Sequence, residues 1–267
     1  MLKNQQNSSI FSGNNFNNIP VELKHLRKYE KGYQSWYEEF FFTLIKVLPF
    51  WLKKILYKER YERIVQIGSG ELVRQKIAYY IPLDFEFKGT EYDNLSLTEI
   101  KLLQKETKQG LVDYLWKEAI QGGKKKYHFV FGGIGQGKTA LLVKLYAQYH
   151  RFLFDFIDNR IVVYFNIDEN LETKLDIFNH QVKYIENKTG DQYETVVLLD
   201  ALDEDYEANS NVSKRLSDLK KILDKYNRVV ITCRTQFFDS NDHIRREIEG
   251  IFKYENCRIA YIQKFKP

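Results

Sequence analysis

Tyr127-His128-Phe129-Val130-Phe131-Gly132-Gly133-Ile134-Gly135-Gln136-Gly137-Lys138-Thr139 is the stretch whose reading decides the fold. Five β-forming residues run into Gly132, and Gly132-x-x-x-x-Gly137-Lys138-Thr139 meets the phosphate-binding-loop pattern in full. Glycines let the backbone turn tightly enough for successive N–H groups to face phosphate oxygens. The following helix adds its unpaired N-terminal amides and its dipole. Leu141, Leu142, Leu145 and Tyr149 recur at helical spacing, so Thr139 is expected to open that helix. Gly132, Gly133, Ile134, Gly135, Gln136, Gly137, Lys138, Thr139 and Ala140 are the candidate phosphate-binding residues. Lys138 is expected to neutralise the β- and γ-phosphates, and the Thr139 hydroxyl to ligate magnesium. The alternative is a glycine-rich turn between strand and helix, which the agreement of flanks and motif disfavours.

Outward from the loop, the chain alternates strand and helix patterns as parallel α/β sheets do. Residues 161–167 are β-branched and aromatic, and residues 169–187 read as helix. Residues 195–199 are an almost wholly apolar run, as expected of a strand buried on both faces. Val212, Leu216, Leu219 and Leu223 form a helix stripe, residues 229–233 another buried strand, and residues 258–263 a last one. Upstream, Ile81, Leu83, Phe85 and Phe87 alternate with polar residues and Pro82, which predicts an edge strand. Ser96-Leu97-Thr98-Glu99 is a capping box for a helix expected to run towards Gln121. Gly122-Gly123-Lys124-Lys125-Lys126 then reads as a solvated turn. The expected fold class is α/β: a three-layer P-loop arrangement of a parallel sheet flanked by helices, preceded by a mainly helical N-terminal region.

The remaining chemistry lies at two strand ends. Asp200 is the first polar residue after the run 195–199, and ligands of open α/β sheets sit beyond such carboxyl ends. Asp200 is therefore a candidate for holding magnesium, with Thr139. Asp203 and Glu204 follow closely and are candidates for orienting or deprotonating a water. Arg234 leaves the strand 229–233 on the same edge, where a guanidinium can contact a γ-phosphate. Its alternative is a salt bridge with the acidic run. Lys138, Asp203, Glu204 and Arg234 are thus the candidate catalytic residues.

In residues 132–139, in Asp200-Ala201-Leu202-Asp203-Glu204 after an apolar strand, and in Thr232-Cys233-Arg234, the chain resembles the NACHT group of STAND nucleoside triphosphatases. These are signalling switches that include inflammasome receptors and bacterial antiphage proteins. The resemblance spans about residues 80–267. It implies ATP and Mg2+ as ligands and slow hydrolysis that resets a conformation. Thr235 stands where the group often has proline. Members of the group continue into a lid, a winged-helix domain and a repeat sensor, so the expectation is a core that stops before them, with weak turnover. The organisation expected is a polar tail over 1–20, an amphipathic helical region over 21–80, and the NACHT-like core over 81–267.

Composition bounds the partners. At 267 residues and 43% hydrophobic, the chain can bury a sizeable core. A net charge of +5, with 41 basic residues interspersed among 36 acidic ones, does not favour a nucleic-acid-dependent motor. Cys233 and Cys257 are too few for a disulfide scaffold, which fits a reducing cytoplasm. Residues 33–57 carry an aromatic amphipathic pattern with Lys53 and Lys54 on one flank. Three readings stand for it: packing on its own domain, lying on the inner membrane surface, or docking a protein partner. Beside the switch, the alternatives in function are an adaptor that binds nucleotide without turnover and an AAA+-like ATPase acting on nucleic acid.

Overall fold

Alternation along each strand divides the core into two, and that division positions everything else. The computed structural model describes residues 47–49, 52–53, 82–88, 110–151 and 159–263, all within one unit, Ile45–Pro267. Its strands are β1 (Phe85–Phe87), β2 (Tyr127–Gly132), β3 (Arg160–Asn166), β4 (Glu194–Asp200), β5 (Arg228–Arg234) and β6 (Cys257–Ile262). They form one sheet in the order β1-β6-β2-β5-β4-β3. β1 is antiparallel to β6, and every other pairing is parallel.

The helices are α1 (Leu111–Leu115), which continues as a π-helical turn Trp116–Ile120, α2 (Lys138–Arg151), α3 (Leu171–Thr189), α4 (Tyr206–Ser210), α5 (Val212–Leu223) and α6 (Asn241–Phe252). Successive strand side chains point to opposite faces. Phe129, Phe131, Val163, Val197, Leu199 and Ile231 pack with the apolar stripes of α3, α5 and α6. Val130, Val162, Tyr164, Leu198 and Val230 pack with Leu141, Leu142 and Leu145 of α2 and with α1. The result is three layers: α1 and α2, the sheet, then α3, α5 and α6.

The sequence-based strands all form, each within about a residue of its expected ends, except the one from residue 81. There the strand begins only at Phe85, and it is the expected edge. Two helical readings need correction. The helix ending near Gln121 does not run unbroken from the capping box, because Gly110 leaves helical space (φ 85°, ψ 152°) and α1 starts after it. The helix α6 escaped the sequence reading, although Ser240 caps it by accepting from His243 N at 3.1 Å and Ile244, Ile248 and Phe252 are buried. The lysine turn is also tied down: Lys125 is buried and donates to the Tyr254 carbonyl at 3.0 Å.

The polar tail over 1–20, most of the region 21–80 and the capping box lie outside the described residues. Within 33–57 the informative residue is Lys53. It is 3% exposed and its Nζ donates to the Thr189 carbonyl at 3.0 Å and to Asp191 Oδ1 at 2.8 Å. A cation at the carbonyl end of α3 suits the helix dipole. Lys53 itself therefore packs on this unit, while residues 33–46, 50–51 and 54–57 lie outside the described residues. Among the described residues no helix is long and apolar enough to cross a membrane.

Lys253 ends α6 at φ 63° and ψ 132°, a conformation disfavoured for residues with a Cβ. Its carbonyl accepts from Asn256 N at 3.0 Å and Cys257 N at 3.1 Å, which locks it there, while its side chain is exposed. Lys253→Gly is therefore expected to raise stability by about 1 kcal/mol. A urea unfolding curve with an unchanged or lower midpoint would contradict the strain.

Candidate nucleotide-phosphate site

Parity brings the site together. Gly132 lies on the Val130 side of β2, Asp200 on the Leu198 side of β4, and Thr232 and Arg234 on the Val230 side of β5. All of these are on the α2 face, and α2 begins at Lys138. In register, Gly132 stands opposite Arg234 and Asn166 opposite Asp200. Because the strands are parallel, these residues share the carboxyl edge of the sheet.

In the loop, Gly135 and Gly137 adopt φ of 74° and 82°, conformations that a side chain would strain. Ile134 forms the exposed tip. Lys138 Nζ bends back over the loop and donates to the carbonyls of Gly132 at 3.0 Å and Gly133 at 2.9 Å. Gln136 Oε1 accepts from Gly133 N, so one loop amide is held by a side chain. Burial lowers the Lys138 pKa; Asp203 opposes that shift, Arg234 adds to it, and Asp200 opposes it more weakly. Thr139 and Ala140 follow within the first turn of α2.

The acidic run divides into three destinations. Asp200 is buried; its Oδ1 accepts from Thr232 Oγ1 and its Oδ2 from the Tyr164 hydroxyl at 2.9 Å. Ala201 then turns left-handed (φ 65°, ψ 54°), which costs about 1–2 kcal/mol in an L-residue. Its N–H donates to Thr232 Oγ1 at 3.1 Å. That twist starts a 3-10 turn, Leu202–Glu204, and returns Asp203 to the end of β5. Asp203 accepts from Arg234 N at 2.8 Å and from Arg234 Nε at 2.9 Å. Glu204 accepts from a terminal guanidinium nitrogen of Arg234 at 2.8 Å and remains mostly exposed. Asp205 turns away altogether: it caps α4 and pairs at 2.8 Å with buried Arg215.

The structure thus brings Lys138, Asp200, Asp203, Glu204 and Arg234 to one edge, and Arg234 makes the salt bridge the sequence left as an alternative. The hydroxyls of Thr232 and Tyr164 hold Asp200; from sequence Thr232 stood only as part of the motif Thr232-Cys233-Arg234, with no contact assigned, and Tyr164 had no role. The available signal was parity, since Tyr164 and Thr232 lie on the same sheet face as Asp200. Thr139 and Asp200 offer hard oxygen donors, and each Asp200 oxygen keeps a lone pair beyond its hydroxyl donor. That suits Mg2+, which takes one or two protein oxygens with phosphate and water. Among the described residues no group of three His, Cys, Asp or Glu is arranged to hold a metal.

No family model matches the chain, and no curated protein matches it. Solved structures similar to it include domain III of the Thermotoga maritima replication initiation protein DnaA, at 15% identity and a TM-score of 0.34 over 58% of this chain. Cdc6p from Pyrobaculum aerophilum is similar at 17% identity and 0.34 over 72%, and C. elegans PCH-2 at 13% and 0.32 over 68%. The chain spans 62%, 49% and 49% of the lengths of these three. The fold class is that of a P-loop α/β domain, a six-stranded and mostly parallel sheet flanked by helices.

Lys138→Ala removes the one ammonium inside the loop. Calorimetric titration should find ATP affinity reduced by about 100-fold, the scale of losing a desolvated charged partner. Near-ultraviolet circular dichroism should be unchanged. Undiminished affinity would remove the loop from nucleotide binding.

Proposed function

We propose that the chain is the ATP-binding core of a conformational switch of the NACHT type, acting in signalling or antiphage defence. The observation that carries the reading is the Arg234 junction: the strand between the loop strand and the acidic strand ends in an arginine held by both Asp203 and Glu204. Lys138 neutralises the β- and γ-phosphates once its bonds to Gly132 and Gly133 are exchanged for phosphate oxygens. Thr139 and Asp200 hold the magnesium ion, which when bound offsets phosphate charge. Glu204, the exposed carboxylate, orients the attacking water, and Asp203 holds Arg234 at the strand end.

Arg234 reads the γ-phosphate. With ADP its guanidinium stays with Asp203 and Glu204; with ATP it divides its bonds between them and the phosphate. Only a differential contact of this kind lets a ligand shift a conformational equilibrium. Hydrolysis is slow and serves to return the arginine to its carboxylates. The partners are protein surfaces, including other copies of the chain, in a cytoplasmic setting. The burial of Lys53 against Thr189 and Asp191 supports this over an adaptor that lies on a membrane through residues 33–57.

Arg234→Ala should weaken ATP binding by about ten-fold, a difference of roughly 1.4 kcal/mol, and ADP binding by less than about two-fold. Competition binding with both nucleotides measures this. Equal losses for ATP and ADP would make the arginine a structural salt-bridge partner and overturn the switch reading.

A further inference from the structure

We propose that Tyr164 is a positioning residue for magnesium, one that fixes the Asp200 carboxylate through its hydroxyl. The inference rests on the reading above of Asp200 as the magnesium-side carboxylate. Tyr164 lies on β3, the edge strand, one strand beyond any residue that would touch nucleotide. Its ring is buried in the α2-side core. The hydroxyl stands 2.9 Å from Asp200 Oδ2 and 2.9 Å from Asn166 Oδ1. A phenol has one proton to donate, and a charged carboxylate is the stronger acceptor, so the proton serves Asp200.

The opposite oxygen is held from the other side of β4. Thr232 Oγ1 donates to Asp200 Oδ1, and its own lone pair is taken by the Ala201 N–H, which aims the proton. Asp200 is therefore gripped by one hydroxyl from each neighbouring strand. Each oxygen retains a lone pair, and the two donors together favour one orientation of the carboxylate plane. A carboxylate only 3% exposed meets few waters, so these two hydroxyls are its main hydrogen-bond donors in the structure. Outer partners of this kind set ligand orientation and metal affinity without touching the metal. An ordinary phenol is protonated near neutral pH, so the hydroxyl is available as a donor.

The test uses the full chain, ATP carrying a fluorescent ribose label, and a titration of free Mg2+. Tyr164→Phe keeps the ring and removes only the hydroxyl. It is expected to raise the half-saturating Mg2+ by about ten-fold, while affinity for the labelled nucleotide in EDTA stays within about two-fold of the parent. Asp200→Asn is expected to raise the Mg2+ requirement further. An unshifted Mg2+ curve for Tyr164→Phe beside a shifted one for Asp200→Asn overturns the proposal and leaves the Asp200 reading standing. Equal loss of binding with and without Mg2+ in Tyr164→Phe makes the tyrosine a core residue only. An unshifted curve for Asp200→Asn, or no saturable binding by the parent, overturns both.

Discussion

The pleat of a parallel sheet is the constraint on which the site depends. Side chains alternate faces along every strand, so a polar residue at a strand end reaches the α2 side only from the correct parity. Gly132, Tyr164, Asn166, Asp200, Thr232 and Arg234 all satisfy it, and the parallel register sets them at one edge. A one-residue slip of β4 or β5 would turn Asp200 or Arg234 towards α3 and α5, into a largely apolar layer. The apolar residues between them, Leu198 and Leu199 on β4 and Val230 and Ile231 on β5, have partners on both faces and so hold that register. The hydrophobic core and the charged edge are thus one arrangement.

The edge satisfies its own charges. Lys138 binds loop carbonyls, Arg234 binds Asp203 and Glu204, and Asp200 takes two hydroxyl protons. Unpaired charges in a half-buried site would be costly. A phosphate ligand at this edge would compete with existing bonds, and its gain would be the difference between two paired states. Arg234 lies between a buried carboxylate and an exposed one. It is the more exposed member of its pair with Asp203, and Glu204 is more exposed still. Its backbone N–H keeps Asp203 in position whichever way the guanidinium turns.

Much of this was legible in the chain itself. Residues 132–139 announce the loop, and runs such as Val196-Val197-Leu198-Leu199 announce strands buried on both faces, because spacing and apolarity are local properties. Less legible were features set by distant residues. The α6 stripe of Ile244, Ile248 and Phe252 is sparse among charges, and it reads as helix only against Tyr127 and Phe129, whose rings meet Phe252. Lys125 looks solvated in sequence, yet the Tyr254 carbonyl draws it into the fold. Within Asp203-Glu204-Asp205 composition gives no hint that Asp205 departs to Arg215; the left-handed turn at Ala201 and the α4 cap decide that. Strand order was not legible either, since the sequence carries the strands but not their crossovers.

Every role assigned to this edge requires that it bind magnesium-ATP. The most direct measurement is calorimetric titration of the purified chain with ATP, in Mg2+ and again in excess EDTA. A single saturable site is expected, one nucleotide per chain, with affinity that falls when Mg2+ is removed. No saturable heat up to about millimolar ATP, near −4 kcal/mol of binding free energy, or a titration indifferent to Mg2+, would contradict it.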